Sequence, residues 1–115
     1  MTSPSVQIID ELVARPGEGG QVLADYMEHY APGAKARGMT LDRVMVSPPV
    51  WMDDQPNTIM IIWSVAGAEG WWGMRLAGTA SPDTAEFWGR IAPRLLDRKR
   101  RFAAAPEDVE TLCHG

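Results

Sequence analysis

The chain has 115 residues, with 45% hydrophobic and 23% charged side chains, which favours one domain over residues 1–115 with a modest core over about 6–112. Its formal net charge of −4 argues against a general attraction to nucleic acid or to an anionic membrane surface. We find no apolar run near the length of about 20 residues that spans a bilayer and no N-terminal signal pattern, so cytoplasmic residence is expected.

The first third of the chain predicts a strand followed by a helix. Residues 6–13 are rich in β-branched side chains and end at the turn sequence Arg15-Pro16-Gly17. Beyond the turn, apolar residues recur at helical spacing and form a single stripe, which consists of Val22, Leu23, Tyr26, Met27 and Tyr30. The helix is expected to break at Pro32-Gly33, unless residues 34–37 add a last turn.

Two further strands are predicted in the middle of the chain. Residues 40–46 alternate well enough for the second strand, and the prolines at 48 and 49 end it. A dense turn signal over residues 53–57 precedes residues 58–65, TIMIIWSV, which form the strongest strand pattern. Because this segment is apolar on both faces, we expect it to lie centrally in a sheet that is covered on both sides.

A Gly- and Trp-rich segment then leads into a second long helix. Residues 66–80 are expected to hold a short helix or an irregular excursion around residues 69–76. Ser81 can cap the following helix, and Pro82 suits its first position. The apolar stripe of this helix consists of Phe87, Trp88, Ile91 and Leu95, and Pro93 should kink the helix or divide it.

The chain ends with a basic run and a weak strand pattern. We expect Arg98–Arg101 to be the solvated end of a helix, because cations there complement the helix dipole and the net charge is negative. Residues 102–112 predict a last strand, despite Pro106. The order is then β-α-β-β-α-β, which is the split βαβ arrangement of a ferredoxin-like α+β fold with an antiparallel sheet.

Helices on one side of such a sheet leave its other face open. The central strand is apolar on both faces, and the chain offers no further helices to cover the second one. The simplest remedy is a second copy of the protein, so that two sheets pack face to face in a symmetric homodimer.

With these features the chain resembles the dimeric α+β barrel superfamily, which includes antibiotic biosynthesis monooxygenases and NIPSNAP-like proteins. The resemblance rests on element order, on length and on the segments TIMIIWSV, GWWGMR and SPDTAEFWGRIAPRLLDRKRRF, and it covers roughly residues 6–112. It implies a homodimer with a pocket in each subunit between the sheet and its helices. Members include cofactor-free oxygenases, polyketide cyclases, isomerases and haem-degrading enzymes. The haem-degrading members use an Asn, a Trp and a His, and their activity is disfavoured because Asn57, the only asparagine, lies in a predicted turn.

Neither a metal nor an organic cofactor is expected. Cys113 is the only cysteine, and with His114 it gives two adjacent ligands near the end of the chain, which fall short of a zinc pattern. The glycines of residues 17–20 lack the Lys-Ser/Thr of a phosphate-binding loop, and no serine nucleophile motif is present.

Three residues of the predicted first helix are candidates for acid–base catalysis. His29 lies at the margin of the apolar stripe, where a half-buried imidazole can move protons near neutral pH. The alternative is a boundary histidine whose second nitrogen meets water. Tyr26 and Tyr30 share one face, and their hydroxyls can position or protonate a bound carbonyl or phenol, although as core residues they would equally need hydrogen-bond partners.

A fourth candidate lies on the second predicted strand. Arg43 is expected to share a face with Leu41 and Met45, and an arginine on an apolar strand face needs an anionic partner. That partner is either a substrate carboxylate or enolate, or more simply Asp10 or Glu11 of the neighbouring strand, unless Arg43 lies at an exposed edge.

Tryptophan and methionine dominate the predicted substrate-binding residues. Five Trp and seven Met are many for this length, and both types fill large, irregular apolar spaces. We expect Trp72 to pack inward against Trp63 or Trp88, and Trp71 to cap the pocket mouth or meet the partner subunit. The predicted substrate-binding residues are thus Met60, Trp63, Trp71, Trp72 and Trp88. The alternative is that both adjacent indoles belong to the core or to an interface.

These residues lead to three functional hypotheses. The first is a cofactor-independent enzyme of the cyclase, isomerase, lyase or monooxygenase type, acting on a small hydrophobic, aromatic or polyketide-like substrate. The second is a non-catalytic binding or accessory protein that uses the same pocket. The third is a purely structural dimer whose Trp and Met side chains fill the interface.

Overall fold

Four strands form one antiparallel sheet in the order β2-β3-β1-β4 in this computed structural model, which describes residues 4–67, 69–73 and 82–114. The strands are β1 (Ser5–Ala14), β2 (Thr40–Ser47), β3 (Asn57–Ala66) and β4 (Leu95–Ala104). All three neighbouring pairs are antiparallel. This topology confirms the predicted ferredoxin-like α+β fold.

The first helical segment is continuous from residue 19 to residue 36. Helix α1 (Gly19–Asp25) passes into a π-helical turn (Tyr26–Tyr30) and then into α2 (Ala31–Ala36). The break predicted at Pro32-Gly33 was wrong. The π turn ends just before Pro32 and widens the helix where the proline ring would otherwise meet the preceding turn.

The C-terminal half differs from the prediction in its last elements. Helix α3 (Pro82–Ile91) ends in a 3-10 turn (Ala92–Arg94), as Pro93 predicted. Arg98–Arg101, expected at a helix end, lies within strand β4 instead. The segment predicted as the last strand largely forms helix α4 (Pro106–His114), because Pro106 suits the first position of a helix and Glu107 and Asp108 in the first turn complement the helix dipole.

Two predicted features lie partly outside the described residues. Residues 69–73 are helical, in line with the short helix expected there, whereas residues 74–81 lie outside the described ranges. The predicted capping residue, Ser81, belongs to that second group. No helix of the described residues is long and apolar enough to span a membrane.

The core lies between the sheet and its helices. Alternate residues of β1 and β3 are buried on this side, and the helices cover them with aromatic and aliphatic side chains. The buried apolar residues include Val6, Ile8, Leu12, Ile59, Ile61, Trp63 and Val65 from the strands, and Val22, Tyr26, Tyr30, Ala34, Phe87 and Ile91 from the helices. Two polar residues, Asp10 and Asn57, are buried with them.

Asn57 has a structural role that differs from its predicted place in a turn. It is the first residue of β3, and its side chain is buried. Its Oδ1 accepts a hydrogen bond of 2.9 Å from the Met52 N–H, and its Nδ2 donates to the carbonyl oxygens of Val50 at 2.9 Å and Pro48 at 3.3 Å. These bonds hold the loop between β2 and β3.

The second face of the sheet, which we call the outer face, is half-exposed and partly apolar. Ile9 and Ile62 lie opposite each other on β1 and β3, and Met60 lies opposite Met45 across β3 and β2. Ile9, Met60 and Ile62 are half-buried, and Met45 is 42% exposed. Strand β3 is therefore apolar on both faces, as predicted, and the described helices cover only one of them.

Candidate active site

A buried ion pair connects β1 to β4 on the helix-facing side of the sheet. Asp10 is only 1% exposed, and Arg100 lies directly opposite it in the strand register. The Arg100 guanidinium binds both carboxylate oxygens, from Nε to Oδ1 at 2.5 Å and from Nη2 to Oδ2 at 2.8 Å. Such a two-point contact fixes the plane of the guanidinium as well as its position.

Tyr26 completes the surroundings of Asp10. Its hydroxyl donates to Asp10 Oδ2 at 2.7 Å and accepts a hydrogen bond of 2.6 Å from Trp63 Nε1. Burial, and then the neighbouring charge of Asp10, raise the pKa of the Tyr26 hydroxyl far above its usual range. Tyr26 therefore stays neutral, and its hydroxyl proton is used in the hydrogen bond to Asp10.

Arg100 carries a permanent positive charge into this network. Burial alone would lower the pKa of its guanidinium, but the hydrogen bonds to Asp10 and the charge of Asp10 raise the pKa above its usual value. The Arg100 side chain remains 28% exposed, so the network reaches the surface at this residue.

The hydroxyl of Tyr30 lies at the end of the network. It accepts a hydrogen bond of 2.6 Å from Arg100 Nη2 and a longer one of 3.4 Å from Arg37 Nη2. Tyr30 is 3% exposed, and its hydroxyl donates to no acceptor among the residues that the structure describes. The two guanidinium donors occupy the hydroxyl oxygen, and the hydroxyl proton is left without an acceptor among these residues.

Aromatic rings surround the two tyrosines. The rings of Tyr26 and Tyr30 lie 4.8 Å apart, and that of Trp88 lies 5.3 Å from Tyr30. Trp88 also lines a surface cleft of about 430 Å³ with Leu95, Leu96 and Arg98. The Arg98 guanidinium lies over the Trp88 ring, 4.0 Å from its centroid. Trp88 thus belongs both to the cleft and to the ring cluster around Tyr30.

The structure brings four of the predicted site residues together, namely Tyr26, Tyr30, Trp63 and Trp88. His29 lies apart from them. Its side chain is 45% exposed, and its Nε2 lies 3.8 Å from the Glu28 carboxylate.

Arg43 and Met60 both lie on the outer face of the sheet. A β-bulge between Leu41 and Arg43 brings Arg43 opposite Ile62, while Leu41 lies opposite Trp63 on the helix-facing side. Arg43 therefore does not share a face with Leu41, contrary to the prediction. The acids proposed as its partners, Asp10 and Glu11, bind arginines of β4 instead, which are Arg100 and Arg101.

The adjacent indoles are arranged in the opposite sense to the prediction. Trp71 is half-buried, with its ring 4.6 Å from that of Phe102, whereas Trp72 is 55% exposed. Residues 71 and 72 are both helical, so their side chains diverge by about 100° and only one faces the sheet. Both indoles line a second cleft of about 340 Å³, together with Val6, Phe102, Val109 and Leu112.

Sequence reasoning missed Asp10, Arg37 and Arg100 as members of the site. A signal for Asp10 was present, because it follows Ile8 on the buried face of a strand and a carboxylate there requires a cationic partner. Its partner Arg100 is hidden in the sequence, because the basic run at residues 98–101 predicts a helix end and not a strand. Within the described ranges, no three His, Cys, Asp or Glu side chains gather as a metal site requires.

Comparison with known proteins identifies the fold. No family model and no curated protein match the chain. Two NIPSNAP family proteins of Agrobacterium tumefaciens have similar structures. One has a TM-score of 0.69 at 11% identity, covering 93% of this chain and 90% of that one. The other, of unknown function, has a TM-score of 0.66 at 14% identity, covering 88% and 87%.

A third similar structure is a candidate antibiotic biosynthesis monooxygenase from Caulobacter crescentus, with a TM-score of 0.64 at 10% identity and coverage of 90% and 92%. The chain has the ferredoxin-like α+β fold that these structures share. The resemblance in fold to NIPSNAP-like proteins and antibiotic biosynthesis monooxygenases, seen in the sequence, is thus confirmed. At these identities, the likeness establishes the fold alone.

The Asp10–Arg100 pair is expected to dominate the stability of the site. Asp10→Asn leaves the Arg100 charge without its counter-charge, and we expect the free energy of unfolding to fall by about 3 kcal/mol. Glu11→Gln is the matched control. It removes the exposed pair with Arg101 and should cost less than about 1 kcal/mol. Urea denaturation measures both, and equal losses would contradict the assigned role of Asp10.

The raised pKa of Tyr26 predicts a loss of stability in alkali. In the unfolded chain this hydroxyl ionises near 10, whereas in the folded protein it stays protonated. The protonated Tyr26 hydroxyl therefore contributes its full stabilisation below pH 10. Above pH 10, the free energy of unfolding falls by up to about 1.4 kcal/mol per pH unit. Tyr26→Phe should remove that part of the slope. Urea denaturation of both proteins between about pH 8 and pH 11 checks this, and identical slopes would refute it.

Proposed function

We propose that this chain is a cofactor-independent enzyme that acts on a small hydrophobic, aromatic or polyketide-like substrate by acid–base chemistry. The observation that supports this most is the Tyr30 hydroxyl, which accepts hydrogen bonds from two arginines and has no acceptor for its own proton among the described residues. In this proposal Tyr30 is the proton donor, and Asp10 and Tyr26 hold Arg100 in place.

The proposed chemistry is common to several reaction types. Cyclases, isomerases, lyases and cofactor-free oxygenases all develop negative charge on a substrate oxygen when an enolate or phenolate forms. A polarised phenol and two fixed guanidinium groups stabilise such charge without having to reorganise during the reaction. The half-buried ring of Trp88 beside Tyr30 offers a flat apolar surface for the substrate. Among the structural neighbours, the candidate antibiotic biosynthesis monooxygenase supports oxygenation as one of the reactions to test.

We also propose that two copies of the chain associate through the outer face. Ile9, Met45, Met60 and Ile62 form an apolar row there that the described helices do not cover. Arg43 lies at the margin of this row and, in the dimer, would lie near the partner subunit rather than at the substrate.

An apolar cleft supports a second candidate function, the non-catalytic binding of a small molecule. The cleft of about 340 Å³ beside Trp71 and Trp72 is lined by apolar side chains from β1, β4 and α4. A protein that only sequesters or presents an apolar molecule needs such a cleft and no polarised hydroxyl. Turnover separates the two functions, since ligand binding is expected under both.

Replacement of the Tyr30 hydroxyl tests the enzymatic proposal. Tyr30→Phe should lower kcat about 100-fold or more, because a positioned general acid contributes at least that much. The assay follows product formation by mass spectrometry with a panel of phenols, naphthols and β-keto aromatic compounds, with purified protein and no added metal.

The control for this experiment is His29→Gln, which replaces an exposed side chain on the same helical segment. If Tyr30 is the acid, His29→Gln keeps kcat within about twofold. If His29 is the catalytic acid or base, as the sequence predicts, His29→Gln lowers kcat about 100-fold and Tyr30→Phe keeps it within about twofold. A panel without any turnover by the wild-type protein would favour the binding function.

A charge on the outer face tests the proposed homodimer. The wild-type chain should sediment as a particle of twice 12.7 kDa, and Ile62→Lys should sediment as a monomer, because a lysine facing its own symmetry mate is repelled and desolvated. Val50→Lys is the control, since Val50 is 60% exposed in the loop after β2. A monomeric wild-type protein at about 100 μM would overturn the proposal.

A further inference from the structure

Arg37 has a buried donor without an acceptor. The residue follows α2, and its Nη2 lies 3.4 Å from the Tyr30 hydroxyl. Its Nε is buried and finds no hydrogen-bond partner among the described residues. Buried polar groups are nearly always paired, so this guanidinium N–H calls for an acceptor beyond the described residues.

The charge of Arg37 is also uncompensated. The other arginine at Tyr30, Arg100, is neutralised by Asp10, whereas Arg37 forms no ion pair with any residue in the described ranges. Both guanidinium groups donate to one hydroxyl oxygen, at 2.6 and 3.4 Å, so their Nη2 atoms lie at most about 6 Å apart. Because Asp10 neutralises only Arg100, the two guanidinium groups around this buried hydroxyl keep one positive charge that no described side chain balances.

From this juxtaposition we propose that the Tyr30 site binds a substrate that is itself an anion, with a carboxylate or an equivalent anionic oxygen held between Arg37 and Arg100. The inference rests on the proposed function and adds the charge of the substrate to it. A carboxylate can accept from both guanidinium groups and from the Tyr30 hydroxyl at once. The second carboxylate oxygen would also accept a hydrogen bond from Arg37 Nε. A neutral ketone has a single oxygen and cannot accept from all of these donors as well.

The surroundings of Trp88 fit the rest of such a molecule. Arg98 lies 4.0 Å from the centroid of the Trp88 ring, and the Arg100 guanidinium lies 5.7 Å from it. Arg98 forms no ion pair in the part of the chain that the structure describes, although the Asp97 carboxylate accepts a hydrogen bond from its backbone N–H. A substrate whose flat apolar part packs beside Trp88 would therefore have its anionic group close to the positive charges of Arg98 and Arg100. These charges are local, since the net charge of the protein is negative.

A matched pair of probes tests the inference by isothermal titration calorimetry. The probes are 2-naphthoate and its uncharged amide, 2-naphthamide, which share one aromatic body. The wild-type protein should bind 2-naphthoate about tenfold or more tightly than 2-naphthamide, and Arg37→Gln should abolish this preference. Lys35→Gln is the control, because it removes an exposed positive charge from α2 two residues away and should keep the preference.

Two further measurements cover a variant that fails to fold. Arg37→Lys retains the charge and should restore part of the preference that Arg37→Gln loses. In the wild-type protein, the NMR resonance of Arg37 Nε–H should shift on addition of 2-naphthoate and stay in place with 2-naphthamide. Equal affinity for the two probes, no detectable binding of 2-naphthoate, or an unmoved Nε–H resonance would each overturn the inference.

A failure of the proposed anion site can be told apart from a failure of the proposed enzymatic function. Preferential binding of 2-naphthoate without any turnover would support the anion site and count against the enzyme. Turnover of neutral aromatic compounds without preference for the anionic probe would support the enzyme and overturn the anion site.

Discussion

The ion pair between Asp10 and Arg100 is the contact on which the site depends. It joins a central strand to the edge strand β4 beneath the helices, where an unpaired carboxylate would be strongly disfavoured. Because the guanidinium is held at two points, its remaining Nη2 donor is aimed at Tyr30. The ion pair thus stabilises the Asp10 carboxylate in the core. It also places the Arg100 guanidinium against the Tyr30 hydroxyl, whose proton has no acceptor among the described residues.

The π-helical turn explains how both tyrosines reach this pair. Tyr26 and Tyr30 are its first and last residues, and their rings lie 4.8 Å apart on the buried side of the helix. Despite this proximity their hydroxyls have different surroundings. Tyr26 is bonded to Asp10 and Trp63, whereas Tyr30 meets only guanidinium donors among the described residues. One tyrosine is therefore suited to holding the carboxylate, and its neighbour is suited to meeting a ligand. π turns are frequent at functional sites.

The two faces of the sheet carry different kinds of side chain. The helix-facing side holds the polar network and the aromatic rings, and the outer face holds an apolar row that one copy leaves half-exposed. The likeness to NIPSNAP proteins and to a candidate monooxygenase over about nine-tenths of the chain, at 10–14% identity, shows that very different side chains support the same fold. The fold sets where a site can be, and the side chains decide its chemistry.

The sequence by itself determined the element order as far as α3, the double apolar character of β3 and the pairing of Tyr26 with Tyr30, because these follow from local periodicity. It could not show that β4 begins at Leu95, since an edge strand whose inward residues include Arg98 and Arg100 has no apolar alternation. Only the strand register brought Arg100 to Asp10, and only the bulge in β2 turned Arg43 away from the helices. Contacts between residues 90 positions apart depend on how the strands are aligned, and no local pattern contains that alignment.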